Sequence, residues 1–207
     1  KKECGNKPYL LIADSLAVKE GETASPTIQP DHREIGRRLG EQLKTKKQKI
    51  GIIADWKMSE AVQAEISGLT EALEGSGSEI SWCIYRRKEQ NITERMKEET
   101  KADALVILDP GVLEEFGEQA EHGKYKGAEL YGVGYSLKTV ALLDKGNIQG
   151  LVVPDGYEIG YKSVKEIAGK IEHKFYKMKG YTTEYQIFSK KDFSMDDDLE
   201  RFLYSYE

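Results

Sequence analysis

From Lys49 onward, short apolar runs alternate with longer segments of helical period, and this alternation constrains the fold more than any other feature of the chain. Alternation of this kind is the signature of βαβ units, in which a helix carries the chain back so that successive strands lie parallel. The strands are expected at Ile50-Gly51-Ile52-Ile53-Ala54, Ile80 to Tyr85, Ala104 to Leu108, Leu130-Tyr131-Gly132-Val133 and Gly150-Leu151-Val152-Val153. Most are continuously apolar, as strands covered on both sides require. The expected fold class is therefore α/β, a parallel sheet flanked by helices on both faces.

Helices are expected over Pro30 to Lys44, Ser59 to Leu73, Ile92 to Glu99, Pro110 to Glu121, Leu137 to Lys145 and Gly156 to Lys174. In the second of these, Val62, Ile66, Leu69 and Leu73 recur at three and four, giving one apolar face for the sheet. Several strand-to-helix turns carry a residue able to cap free backbone N–H groups: Asp31 with Glu34, Asn91 with Glu94, Asp109 before Pro110, Ser136, and Asp155 with Glu158. Such turns stand at the carboxyl ends of parallel strands, where open α/β sheets bind their ligands. The ends of the chain read differently. Pro8 to Asp14 reads as one more strand, followed by a polar loop to Pro30; Thr182 to Ser189 reads as an extended segment and Asp196 to Tyr204 as a short acidic helix.

Composition narrows the function. Of 207 residues, 32% are charged with both signs interspersed and a formal net charge of -5, so no basic stripe points to nucleic acid as a partner. No apolar run approaches the roughly 18 to 20 residues of a membrane span. Cys4 and Cys83 fit no metal-ligand spacing, and Cys83 reads as a buried strand thiol. The three histidines, His32, His122 and His173, read as solvated residues near helix ends, poor material for acid-base catalysis. No Gly-x-Gly-x-x-Gly or Walker pattern stands at a strand-helix turn, so no nucleotide or other cofactor is expected. The nearest approach to a carboxylate set is Asp55, Asp109 and Asp155, all at strand ends; no metal is assigned to it. The expectation is a binding domain, not an enzyme.

The stretch Leu130-Tyr131-Gly132-Val133-Gly134-Tyr135-Ser136, continuing through Asp144-Lys145-Gly146-Asn147-Ile148 to Val153-Pro154-Asp155-Gly156-Tyr157-Glu158-Ile159-Gly160-Tyr161, resembles the type I periplasmic sugar-binding proteins. Asp31 to Leu43 and Lys49 to Leu73, the latter ending Gly68-Leu69-Thr70-Glu71-Ala72-Leu73, follow the same family's order, and the resemblance covers about Pro8 to Phe188. The family includes sugar-transport binding proteins and the effector domains of LacI-type repressors.

The resemblance implies two α/β lobes joined by three crossing segments, with ligand held between them by closure. On that pattern residues 1–30 are a strand and crossing segment from an amino-terminal lobe that precedes this chain, 31–179 the ligand-binding lobe, and 180–207 a return segment with a short terminal helix. Carried over by position, the family's ligand-facing sites fall at Trp56, Gln63, Asp109, Tyr135, Ser136, Asp155 and Tyr157. Gln63 stands where an Arg is usual, Asp109 where Asn is, Ser136 where Asp is and Pro154 where Gln is frequent, so an ordinary pentose or hexose fits poorly. The implied role is extracytoplasmic capture of a small polar solute for a transporter or sensor membrane protein. A signal or anchor would lie upstream. The alternative is the cytoplasmic effector domain of a LacI-type regulator.

Overall fold

The computed structural model describes residues 4–12, 25–55, 59–86 and 91–189. Among these residues fifteen elements follow one another: β1 (Leu11–Ile12), β2 (Thr27–Pro30), α1 (His32–Leu43), β3 (Lys49–Ala54), α2 (Glu60–Leu73), β4 (Glu79–Tyr85), α3 (Ile92–Met96), β5 (Ala104–Ile107), α4 (Pro110–Glu121), β6 (Glu129–Val133), α5 (Leu137–Asp144), β7 (Gly150–Pro154), α6 (Gly156–Glu172), β8 (Tyr181–Thr183) and β9 (Tyr185–Ser189). They form a six-stranded sheet in the order β4-β3-β5-β6-β7-β9 and a three-stranded sheet in the order β1-β2-β8. Every pairing is parallel except β7 with β9.

Side chains that alternate along each strand sort the large sheet into two apolar layers. On one face Ile53, Ile84, Leu105, Ile107, Leu151 and Val153 meet Val112, Leu113 and Phe116 of α4 and Val140 and Leu143 of α5. On the other, Ile50, Ile52, Val106 and Val152 meet Ile35, Leu39 and Leu43 of α1 and Val62, Leu69 and Leu73 of α2. The sheet is thus covered on both faces, and its continuous apolar runs have the physical cause read from the sequence.

Helices α1 and α2 cross at van der Waals contact of their backbones. A Cβ on Gly36 would stand 1.8 Å from the Glu65 carbonyl oxygen, and one on Gly68 would stand 1.9 Å from that of Arg33. Beside this crossing His32 Nδ1 lies 2.7 Å from Glu65 Oε1, with both side chains largely buried. His32 is therefore an interior residue of the α1–α2 contact and not the solvated one expected. Cys83 also departs from expectation: it is only partly buried, at the margin of the α1–α2 core, and neither it nor Cys4 forms a disulfide.

Three further differences concern the smaller sheet. The segment read as a loop before Pro30 contains β2, whose Ile28 is fully buried. The extended segment at Thr182 to Ser189 is two strands in two different sheets, separated by Glu184 alone. Helix α6, expected within the lobe at 31–179, packs on β2 and β8 of the three-stranded sheet. The chain thus leaves the large sheet at Asp155 and rejoins it at Tyr185, and its first passage between the sheets is at Asp31. The helix expected over Asp196 to Tyr204 lies outside the described residues, as do Ala13 and Asp14 of the first expected strand.

Glu166 anchors α6 to its sheet. Its carboxylate accepts hydrogen bonds from Tyr176 Oη at 2.9 Å, Tyr181 Oη at 2.8 Å and the Lys179 amide at 2.8 Å. Burial pushes this carboxyl up, but the three donors outweigh it and hold it below the usual carboxylate value. A folded-state value below the unfolded one, about 4.3, stabilises the fold above that pH and ceases to do so as pH falls below it. The melting-temperature difference between the parent chain and Glu166→Gln is accordingly expected to be largest near neutrality and to shrink below about pH 4. Parallel melting curves from pH 7 to 3 would contradict this.

Candidate functional site

The order of the large sheet reverses between β3 and β5, because β4 follows on one side of β3 and β5 on the other. Ligands in open α/β sheets bind outside the strand ends at such a point. Asp55 follows β3, Arg86 follows β4 and Asp109 follows β5, so the switch point carries two carboxylates and one guanidinium.

Asp109 is nearly buried and uses both oxygens. Oδ1 accepts the Val112 amide at 3.0 Å, capping α4, and Oδ2 accepts from Arg86 Nη1 at 2.7 Å. The Arg86 side chain is half exposed, and its own amide donates to the Ala54 carbonyl at 2.8 Å. A carboxylate fixed by a helix cap therefore holds a cation at the mouth of the switch point. Such a charge-assisted pair leaves the remaining guanidinium N–H groups as a planar set of donors. Gln63, in the first turn of α2, is hydrogen-bonded to Tyr85, whose phenol is pushed above its usual value, chiefly by burial and then by Cys83.

Next along the sheet, Ser136 accepts the Thr139 amide at 3.1 Å and donates to Glu114 Oε2 at 2.7 Å. That hydroxyl is the main reason the Glu114 carboxyl lies below its usual value; burial opposes it, and Lys138, at 3.1 Å, assists. Tyr135 beside it is exposed. At the end of β7, Asp155 caps α6 through the Glu158 amide at 2.8 Å, and its own amide donates to the Glu184 carbonyl at 3.0 Å. The Glu184 amide in turn donates to Glu158 Oε2 at 2.8 Å. Two of the three passages between the sheets are thereby tied together. The third, at Asp31, borders a cavity of about 350 Å³ lined by Gln29, His32, Glu60, Ala64 and Thr182.

The residues expected at the site thus fall into three groups. Asp109 and Gln63 belong to the switch point, each already bonded; Tyr135 and Ser136 follow β6; Asp155 and Tyr157 begin α6 at a passage between sheets. Trp56 lies outside the described residues. Asp55, Asp109 and Asp155 are not gathered: among the described residues no group of three or more His, Cys, Asp and Glu side chains could hold a metal ion. Sequence reasoning missed Arg86 and the Glu114–Lys138 pair. Arg86 was reachable by the rule that ligands bind at strand carboxyl ends, since it directly follows the expected strand Ile80 to Tyr85; its pairing with Asp109 spans two strands and was not.

No protein-family model matches the chain, and no curated protein does. Solved structures do. A glucose-galactose binding protein from Geobacillus stearothermophilus is 20% identical, with a TM-score of 0.72 over 91% of this chain and 69% of that one. A carbohydrate transporter solute-binding protein from Agrobacterium radiobacter, in complex with D-arabinose, is 19% identical, with a TM-score of 0.75 over 93% and 70%. A LacI-like regulator from Bacteroides fragilis is 14% identical, with a TM-score of 0.70 over 90% and 68%. The sheet order, the helices on both faces and these likenesses agree: the chain has the type I periplasmic binding protein-like fold.

Proposed function

We propose that this chain binds a small polar solute at the carboxyl ends of the large sheet, as part of an extracytoplasmic solute-binding protein that serves a transporter or sensor. The observation that carries the reading is Arg86, held by Asp109 at the topological switch point. Exposed Tyr135 and Tyr157 stand at the ends of strands farther along the same sheet. A fixed fork of donors with aromatic faces nearby suits a ligand rich in hydroxyl or carboxylate oxygens. Structural neighbours include proteins solved with D-arabinose and with myo-inositol, both polyhydroxylated. The role is capture and not catalysis.

On this reading the large sheet with α1 to α5 and β9 is one lobe, and β1, β2, β8 and α6 begin a second. The hinge is then formed by Asp31, Asp155 and Glu184, with the carboxyl-terminal boundary of the first lobe at 155 and not at 179. A LacI-type effector domain is the second reading, favoured by the regulator among the structural neighbours. Both readings place the ligand in the same cleft.

The test is a titration of the isotope-labelled chain with D-arabinose, D-galactose, myo-inositol and carboxylate-bearing amino acids, followed by amide shifts. Saturable shifts centred on Arg86, Tyr135 and Tyr157 are expected with one class. Arg86→Ala should weaken that binding about tenfold or more, the loss of one charge-assisted contact. Shifts that avoid the strand ends, or affinity unchanged in Arg86→Ala, would defeat the proposal.

A further inference from the structure

The two residues that helix α6 buries are polar, and it carries a row of exposed apolar ones. The buried two are Ser163 and Glu166, the latter bonded to Tyr181 of β8 and to Tyr176 and Lys179 before it. Tyr157, Tyr161, Val164, Ala168 and Ile171 recur at alternating spacings of four and three, and lie roughly 140 to 180° around the helix from Glu166. Tyr157, Tyr161, Val164 and Ile171 are 69%, 56%, 70% and 69% exposed, and Phe175 just beyond the helix is 90% exposed. Scattered apolar residues on a surface need no explanation, but a continuous row at coiled-coil spacing on the side of a helix away from its own sheet does. A second helix running along it would bury the row knobs-into-holes.

The flanks of the row select the partner. Lys165 and Glu172 stand one heptad apart on the same flank, and neither forms an ion pair within the chain among the described residues; Lys165 only lies over the Tyr161 ring. Ala168, the smallest member, sits midway between them. If an identical helix crosses antiparallel about Ala168, Val164 of each copy faces Ile171 of the other, and Lys165 of each faces Glu172 of the other. The charge pair is made twice by one twofold axis, and the small central residue lets the backbones approach. Gly160, with open space where its Cβ would be, leaves the opposite flank clear of bulk.

We infer that the exposed row of α6 is a self-association surface, through which two copies of this chain pair by antiparallel packing of α6 about Ala168. Tyr157 belongs both to this row and to the candidate site, but none of the residues substituted below does, so the test is separate from that of the solute reading. Sedimentation equilibrium of the whole chain should show the mass rising from monomer toward dimer up to several hundred micromolar. Val164→Asp and Ile171→Asp should abolish the rise while leaving circular dichroism and melting unchanged, since both side chains are exposed. Lys165→Glu and Glu172→Lys should each weaken the dimer about tenfold, and the double exchange should restore it. A monomer throughout the range would mean that the row serves a different partner and would overturn the inference. A dimer indifferent to Val164→Asp, or a double exchange that fails to restore, would do the same.

Discussion

Gly36→Ala is expected to destabilise the chain by about 3 kcal/mol or more, although alanine is ordinarily the better helix former by about 1 kcal/mol. The sign reverses because the new methyl would stand 1.8 Å from the Glu65 carbonyl oxygen, against backbone that has no rotamer to move. To admit it, α1 and α2 must separate, which also pulls His32 from Glu65 and opens the core around Leu39 and Leu69. Gly68→Ala meets the Arg33 carbonyl at 1.9 Å and should behave alike. Gly160→Ala, with nothing within 4 Å, is the control and should stabilise by about 0.5–1 kcal/mol. Urea denaturation of the three variants decides the matter: a Gly36→Ala chain as stable as its parent would mean that the helices are not in contact there.

Phe116→Ala should cost about 3–5 kcal/mol, the usual penalty for emptying an aromatic site in a core. Phe116 is 1% exposed, sits between α4 and the sheet, and stacks on Tyr125 with ring centroids 4.7 Å apart and planes 2° from parallel. Tyr125 is the one non-glycine residue at positive φ among the described residues, at 56°, a conformation that costs about 1–2 kcal/mol and needs support. The stack and the Tyr125 hydroxyl bond to Gln119 Oε1 at 2.7 Å supply that support. Losing it should show as a lower urea midpoint with the slope retained, and as faster amide exchange in the turn at residues 122–128. Because Asp109 caps α4 and pairs with Arg86, loosening the helix should also weaken the binding proposed at Arg86. A loss below about 1 kcal/mol would mean that the site collapses around the smaller side chain.

Much of this architecture can be read without coordinates. The continuous apolar runs report burial on both faces, and the six helices announce themselves by period and by caps. All five capping residues singled out do cap: Asp31, Asn91, Asp109, Ser136 and Asp155 each accept the amide of a residue in the first helical turn. These signals are local, since a strand's alternation and a helix cap involve residues close in sequence, and local signals survive in a one-dimensional record. The strand-end rule likewise marks where a site can be, and with the cap positions it led to Asp109, Ser136 and Asp155.

What stayed hidden depends on contacts between distant residues. Four residues with a single fully buried side chain, Ile28, make too weak a pattern to announce β2. One residue, Glu184, separates strands of different sheets, and nothing in its identity marks the change. Helix α6 shows the reason most plainly, because Tyr157, Tyr161, Val164 and Ile171 are exposed while its anchor is a buried carboxylate satisfied by Tyr176, Lys179 and Tyr181. The sequence by itself determined that parallel strands and covering helices would form, and where helices would begin. Only the tertiary structure decided which sheet each element joins, that Arg86 rests on Asp109, and which side of α6 faces water. The first set follows from backbone geometry and local burial pattern; the second from hydrogen bonds and packing made across the chain, whose partners no periodicity encodes.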